Sequence, residues 1–437
     1  MEETIFRDRG LSPIAVVLIV TIPMIYAFVF LSFPLKVIII VLSFAAVLSQ
    51  AGYLLARRSS RKELGNRLER QKALIVLGGG FLLASCVSTM RSDSKSKFLS
   101  LIVCTFTLVF AHFILPILAI QKKDVESILR AVAVIGMAII VVSWLLVLLK
   151  LAGGPPWGLA PVSELILEKR ALLSRWSIPF AMKGPFAHPN ILGEVVVCAT
   201  PGLLMIGSKA ARPTKRLLAG LALVLCFLTL IASFSVIACI PFFLTLLGMM
   251  ILRPAVLHRI LGIGAAASVL FFSIAVFARW NFDFLNHLPL RSETRVLLWN
   301  RGVDIIHMTG GRGISPEQAN RLMPYGLASH NTIIQTALIF GYGAMICYSF
   351  YLILVLWKTS GCVRDGLTRA VFCWSLNTVI MQSFEYVSFG HLGIMNFYFL
   401  AIIVPFLLLP RDPYPLGSSS KGEHIAGCRP SEGSRPN

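Results

Sequence analysis

Residues 129–151 read LRAVAVIGMAIIVVSWLLVLLKL. Nothing charged stands between Arg130 and Lys150, a pattern foreign to the half-exposed helices of a soluble domain. About 20 apolar residues in a helix cross the roughly 30 Å hydrocarbon core of a bilayer. Comparable runs recur near 11–32, 34–56, 73–90, 98–120, 189–207, 217–234, 236–252, 260–278, 332–356, 370–388 and 394–410. With 129–151 they make twelve, and they predict an all-α polytopic membrane protein with about 12 transmembrane helices. The continuous stretch 217–252 is too long for one span and divides near Ser233–Ser235. The first run follows Glu2 and Glu3 rather than a basic segment and lacks a small-residue cleavage site, so it reads as an uncleaved anchor.

The whole composition agrees. Of 437 residues, 56% are hydrophobic and 14% charged, where soluble domains carry about 25% charged residues. Lys plus Arg number 40 against 20 Asp plus Glu, a net charge of +20. In a soluble chain that excess would point to nucleic acid. Here it sorts by loop: the segments on the side of the N-terminus hold 25 Lys or Arg, whereas the short loops 33–36 and 91–97 on the other side hold 1 and 3. Positive residues stay cytoplasmic in short loops, so both termini are expected inside, and no nucleic-acid partner is expected. Residues 1–410 form one membrane domain in this reading. The tail 411–437, rich in Ser, Gly and Pro, reads as a disordered cytoplasmic extension.

Two outside loops are long, 152–188 and 279–331, and they hold 4 and 6 basic residues that the topology rule does not require. Long loops of this kind carry function, and these are expected to form short amphipathic helices over a lateral opening to the bilayer. None of the nine cysteines lies in them, so no disulfide framework is expected. The chain has no Walker loop, no GxGxxG, no CxxC pair, no metal-spaced histidines and no DxD-like pair outside, so neither a metal nor another cofactor is expected. Mid-span ionisable groups are scarce: Glu194 and Glu385 sit near span ends, and His112 stands mid-span. That scarcity weighs against a proton-coupled transporter.

In the second loop, Arg291, Arg295 and Trp299 fall at i, i+4 and i+8 of a helix-compatible stretch from Ser292 to His307. Gly310, Gly311 and Gly313 then surround Arg312. A short segment, Pro316–Leu322, precedes Ser329-His330-Asn331 at the start of the next run. Guanidinium forks suit phosphate, and a histidine near neutrality suits proton removal from a hydroxyl. A metal-free face with these groups fits binding of a pyrophosphate and transfer of the group attached to it. Blander readings stand beside this one. The arginines snorkel to headgroups or pair with Glu293 and Asp304; His330 is a hydrogen-bonding residue at a helix start; the glycines form a plain turn; His188 and Asn190 cap the next span, with Pro189 in its first turn.

Three segments together resemble the O-antigen ligase and polymerase superfamily of bacterial envelope glycosyltransferases. Lys183-Gly-Pro-Phe-Ala-His-Pro-Asn190 is similar to that family's Gly-(Thr/Pro)-Phe-x-(Asn/His)-Pro-Asn element, and Ser292-Glu-Thr-Arg-Val-Leu-Leu-Trp299 to its Arg-x-x-x-Trp segment. The series Gly311-Arg-Gly313, Ser329-His330-Asn331 and Gly341-Tyr-Gly343 resembles its Gly-x-Gly turn, His-Asn pair and following glycine-bearing helix. The motifs cover about residues 180–356; the wider chain agrees by span count and loop placement.

The resemblance implies a metal-independent inverting glycosyltransferase in the bacterial inner membrane. Such enzymes move a glycan from an undecaprenyl-pyrophosphate donor to a hydroxyl at the periplasmic face. The acceptor is lipid A–core for a ligase or another lipid-linked glycan for a polymerase. It implies His330 as base and Arg295 as pyrophosphate holder, with Lys97 as a further basic group. Arg291 and Arg312 join them by proximity, and Lys183, His188, Asn190 and Asn331 as donor- or glycan-binding candidates. The chain departs from the family at Ser233-Phe234-Ser235-Val236, where members usually show Ser-Arg. The alternatives are a transporter or flippase for lipid-linked glycans, and a non-catalytic partner in such a complex.

Overall fold

A computed structural model of the chain describes residues 15–20, 32–56, 65, 68–69, 71–92, 94–118, 122–153, 155–161, 180–186, 188–250, 254–284, 293–324, 327–384 and 394–408. Residues 15–20 are helical. Then come α1 (Phe33–Ala56), α2 (Lys72–Met90) and α3 (Lys95–Val109), the last continuing through a π-helical turn, Phe110–Ile114, to Leu118. After α4 (Lys122–Leu151), strands β1 (Leu159–Pro161) and β2 (Phe180–Met182) pair antiparallel, Ala160 opposite Ala181. The helices α5 (Pro189–Lys209), α6 (Pro213–Ala232), α7 (Val236–Met250) and α8 (Pro254–Phe277) follow. Two short helices, α9 (Glu293–Met308) and α10 (Pro316–Leu322), lead to α11 (Thr332–Phe340), α12 (Tyr342–Ser360), α13 (Gly366–Phe384) and α14 (Ile394–Leu408).

Among the described residues eight helices are long and apolar enough to cross a membrane: α1 to α6, α8 and α12. The chain is an all-α polytopic membrane protein. Large apolar side chains stand exposed along these helices, among them Ile38, Val41 and Leu42 on α1, Leu217, Leu218 and Leu221 on α6, and Ile260 and Ile263 on α8. In water such a belt would be an aggregation hazard; against lipid tails it is the ordinary outer surface.

The centre is the reverse. Helix α13 has the length of a span but buries Ser375, Asn377, Thr378, Gln382 and Ser383, and α5, α7, α8, α11, α12 and α14 wall it in. Lipid offers no hydrophobic drive for helix association, so close packing and hydrogen bonds do that work, and polar side chains turn inward. Asn377 meets Thr245 of α7 at 2.9 Å. A second network crosses the bundle at the π turn. The Gln71 Nε2 donates to the Val404 carbonyl (2.8 Å), its Oε1 meets His112 Nδ1 (3.0 Å), and His112 Nε2 meets the Tyr351 hydroxyl (3.1 Å). Because the Gln71 amine is spent on a carbonyl, its Oε1 accepts from His112 Nδ1, which carries a proton.

Several sequence expectations change. The run 332–356 is not one span: Gly341, at φ 87°, breaks it into α11 and α12. The run 217–252 divides as expected, with α6 ending at Ala232 and α7 starting at Val236. The basic segments 121–130 and 253–259 are mostly helix rather than loop, forming the starts of α4 and α8. The described parts of 152–188 hold the β1–β2 pair where short helices were expected. Most of the first run, all of the tail 411–437, and Arg291 lie outside the described residues.

The two ends of the bundle carry different charged groups. One end carries the Lys122–Asp365 and Lys209–Glu126 ion pairs. The other carries Lys97, Arg312 and His330.

Candidate functional site

The site end is organised around α11. This helix of 9 residues is buried along its whole length and, at 1.5 Å per residue, is roughly 14 Å long, too short to span. Asn331 caps it: its Oδ1 accepts from the Ile334 N–H (3.0 Å) while its Nδ2 donates to the Ser383 carbonyl on α13 (2.8 Å). Both ends of the Asn331 amide are therefore committed to the protein. Ser329 closes the corner, donating its N–H to Gln335 Oε1 (2.9 Å) and its hydroxyl to the Asn331 carbonyl (3.0 Å). His330, half-buried between them, sits at φ 50°. That left-handed conformation costs an L residue about 1–2 kcal/mol, which the flanking hydrogen bonds offset.

Helix α9 lies across this corner. A Cβ on Gly302 would come within 2.8 Å of Ile334 Cγ2 and 3.7 Å of Ser329 Cβ, so the bare glycine lets the two helices touch. Arg295 and Trp299 lie seven and three residues earlier on the same helical stripe. Trp299 is 1% exposed and packs on Phe272, Phe282 and Phe384; Arg295 is half-buried. The structure thus sets Gly302, on the stripe that carries Arg295 and Trp299, against Ser329 and Ile334 at the N-terminal end of α11. Asp304 pairs with Arg279 (3.3 Å).

The glycine turn docks on the other end of α11. Ile314 N–H donates to the Leu338 carbonyl (2.8 Å) and Tyr342 N–H to the Gly311 carbonyl (3.0 Å). Gly313, at φ 77°, leaves no room for a side chain: a Cβ would meet the Ile339 carbonyl oxygen at 2.5 Å, Ser88 Oγ at 2.7 Å and the Gly341 nitrogen at 2.8 Å. Arg312 points its side chain to the surface. Its carbonyl accepts from the Ser88 hydroxyl (2.7 Å), and Ser88 in turn accepts from the Lys97 ammonium (2.9 Å).

Lys97, expected at a loop end, is instead 0% exposed inside α3. Burying an ammonium costs several kcal/mol unless it is well paired, and among the described residues the partner it finds is this one hydroxyl. Nearby, α10 is tied down by Glu317, which accepts from Ser94 (2.9 Å). Hydrogen bonds from Ser96, its own backbone and Ser94 hold the exposed Glu317 carboxyl down at about 2. A mostly apolar groove of about 320 Å³ opens between α2 and α3, walled by Met90, Phe98 and Leu101 with Ser94 and Lys95 at its rim.

The third motif forms a separate corner. Lys183 and Gly184 both donate their N–H groups to the Gly158 carbonyl (2.8 and 2.9 Å), and Phe186 is buried. His188 Nδ1 accepts the Asn190 N–H (3.2 Å), capping α5 with Pro189 in the first turn, as the plainer sequence reading had it. A Cβ on Gly193 would lie 2.2 Å from Ser235 Oγ, so α5 presses on the turn between α6 and α7. Phe234 takes φ 51° in that turn.

Sequence reasoning found the α11 corner through its His-Asn pair and the glycine turn through Gly-x-Gly. It passed over Ser88, Glu317, Gln335 and Ser383; nothing in the spacing of the two serines marks what lies opposite. No protein-family model, curated protein or solved structure matches this chain.

Proposed function

We propose that the protein transfers a glycan from an undecaprenyl-pyrophosphate carrier to a hydroxyl acceptor at the periplasmic face of a bacterial inner membrane. The observation that carries this reading is the meeting of the Arg295 stripe of α9 with Ser329-His330-Asn331 at the N-terminal end of a buried half-helix. A helix N-terminus favours anions, and a guanidinium beside it adds a bidentate donor for pyrophosphate. The leaving pyrophosphate is then neutralised by fixed charges. His330, held in one backbone conformation, takes the proton from the attacking hydroxyl, and that oxygen forms the new bond as the sugar–pyrophosphate bond breaks. The apolar groove between α2 and α3 suits an isoprenoid chain. The acceptor is lipid A–core in a ligase and a second lipid-linked glycan in a polymerase.

The test is transfer by the purified protein in nanodiscs, with EDTA present, read as acceptor mass. Wild type is expected to add the glycan, and His330→Ala and Arg295→Ala to lose the addition. Retained transfer in His330→Ala removes the proposed base.

A second reading, transport of the lipid-linked glycan, draws on the broken α11–α12 helix and the buried polar α13, since discontinuous helices line transporter sites. Movement of labelled donor lipid across the membrane that survives His330→Ala would favour transport.

A further inference from the structure

At the end of the bundle away from His330, the turn from α5 into α6 reads Lys209-Ala-Ala-Arg-Pro-Thr-Lys-Arg216. The turn is ordered. Ala210 donates its N–H to the Gly207 carbonyl (3.2 Å), and the Lys215 and Arg216 N–H groups donate to the Arg212 carbonyl (3.1 and 3.3 Å). Arg216 Nε donates back to the Ala210 carbonyl (2.9 Å), which fixes one edge of that guanidinium and leaves its two terminal nitrogens as donors. A Cβ on Gly207 would lie 3.1 Å from the Ala219 Cβ, so the two helices meet closely behind the turn.

The neighbouring cations are already matched: Lys209 and Arg130 share Glu126. Arg212, Lys215 and Arg216 are all exposed, and no described carboxylate pairs with any of them. Directly after them, Leu217, Leu218, Leu221, Val224 and Leu228 make one stripe of α6 that is 44% to 67% exposed. The other side of the helix buries Ala219, Cys226 and Thr229. The stripe is a surface for lipid tails, and the three cations stand at its head. A lipid whose tails lie along the stripe carries its phosphate at their level. The topology rule accounts for how many basic residues this turn holds. It does not account for their clustering at the head of an exposed stripe or for the anchoring of Arg216.

We propose that Arg212, Lys215 and Arg216 form a headgroup site for an anionic phospholipid whose acyl chains lie along the exposed stripe of α6. The held Arg216 fork takes phosphate oxygens, and Arg212 and Lys215 add charge beside it. The site lies at the opposite end of the bundle from the proposed transfer corner and does not rest on that reading.

The experiment uses the full chain in nanodiscs holding equal amounts of phosphatidylglycerol and phosphatidylcholine, released for native mass spectrometry. The readout is the ratio of the two lipids retained, and wild type is expected to keep phosphatidylglycerol in preference. One Lys or Arg beside an anionic membrane surface is worth roughly fivefold in affinity, so Arg212→Gln with Lys215→Gln should lower the ratio roughly 25-fold. Lys123→Gln with Arg259→Gln removes the same charge from other exposed positions and should lower it less than about twofold, because distant charges are screened. Arg216→Lys keeps the charge but loses the fork, and should fall between wild type and the Arg212/Lys215 double variant. Melting in pure phosphatidylcholine reads folding, and every variant should match wild type there. Phosphatidylglycerol should raise the melting temperature of wild type and of the Lys123/Arg259 variant but not of the Arg212/Lys215 variant. If the Arg212/Lys215 variant melts early in phosphatidylcholine, Arg216→Lys decides by the same ratio.

Three results overturn the inference: a wild type that keeps the two lipids equally, an unchanged ratio when the turn cations are replaced, or an equal loss in the two double variants, which reduces the effect to overall charge.

Discussion

Replacing Gly313 with alanine tests how the glycine turn holds α11, and Gly310 provides its own control. Both take positive φ, 77° and 63°. An alanine in that region costs about 1–2 kcal/mol for conformation alone. At Gly310 nothing lies within 4 Å of an added Cβ, so Gly310→Ala should cost only that. At Gly313 the methyl would meet the Ile339 carbonyl oxygen at 2.5 Å, Ser88 Oγ at 2.7 Å and the Gly341 nitrogen at 2.8 Å. Two of those atoms are backbone and cannot turn aside. Overpacking of this kind adds about 1–3 kcal/mol. Gly313→Ala should therefore be the weaker protein by about 1–3 kcal/mol, roughly 5- to 150-fold in the unfolding equilibrium constant. The assay is denaturant unfolding of both variants in mixed micelles, followed by circular dichroism. Equal destabilisation of the two would refute the backbone-on-backbone packing of this corner.

Other expectations follow from single contacts. Lys97→Met should leave stability within about 1 kcal/mol of wild type or raise it, because an apolar side chain replaces a poorly paired buried ammonium while Ser88 keeps its bond to Arg312; unfolding in the same micelles reads this. Asn331→Ala should destabilise by about 2–4 kcal/mol, combining a lost cap with a buried N–H left unmet, whereas Asn331→Asp should recover the cap and not the tie to Ser383. Burial would raise the Asp365 carboxyl, but hydrogen bonds and charge from Lys122, with Thr368, more than reverse this and hold it below its ordinary 3.8. A depressed carboxyl stabilises the folded state above its unfolded value and loses that contribution as pH falls through the folded one. Asp365→Asn, which keeps a cap for α13, should thus cost up to about 1 kcal/mol at pH 7, the difference from wild type shrinking as pH falls below 3.8 and vanishing below the depressed folded value; melting curves across that range check it.

The spans were legible because lipid imposes one simple demand, an apolar stretch long enough to satisfy its own backbone, and 129–151 states it without ambiguity. The break at Gly341 was not. Hydropathy reads straight through IIQTALIFGYGAMI, and what stops the helix is a backbone, Gly311–Gly313, that arrives from elsewhere in the chain. Lys97 misled for a related reason: as a charge beside Ser94 and Lys95 it looks like the end of a loop, and only the packing of α2, α3 and the Arg312 carbonyl shows that it is enclosed. His188-Pro-Asn190 and Ser329-His330-Asn331 were both legible as helix starts, and both are. What the sequence could not say is that one caps an ordinary long helix while the other caps a buried half-helix under α9. Arg295 and Trp299 were placed on one face by spacing alone, and that face does meet the His330 corner through Gly302.

The central claim is that the Arg295–His330 corner receives a pyrophosphate on a lipid. The most direct measurement is native mass spectrometry of the protein released from nanodiscs carrying equal amounts of undecaprenyl pyrophosphate, undecaprenyl phosphate and undecaprenol. The account predicts that the pyrophosphate lipid is retained in preference to undecaprenol. It also predicts that Arg295→Ala lowers its retention at least tenfold, with Arg295→Lys between the two because an ammonium cannot reproduce the bidentate fork. Equal retention of undecaprenol, or an Arg295→Ala protein that holds the pyrophosphate lipid as wild type does, would contradict it.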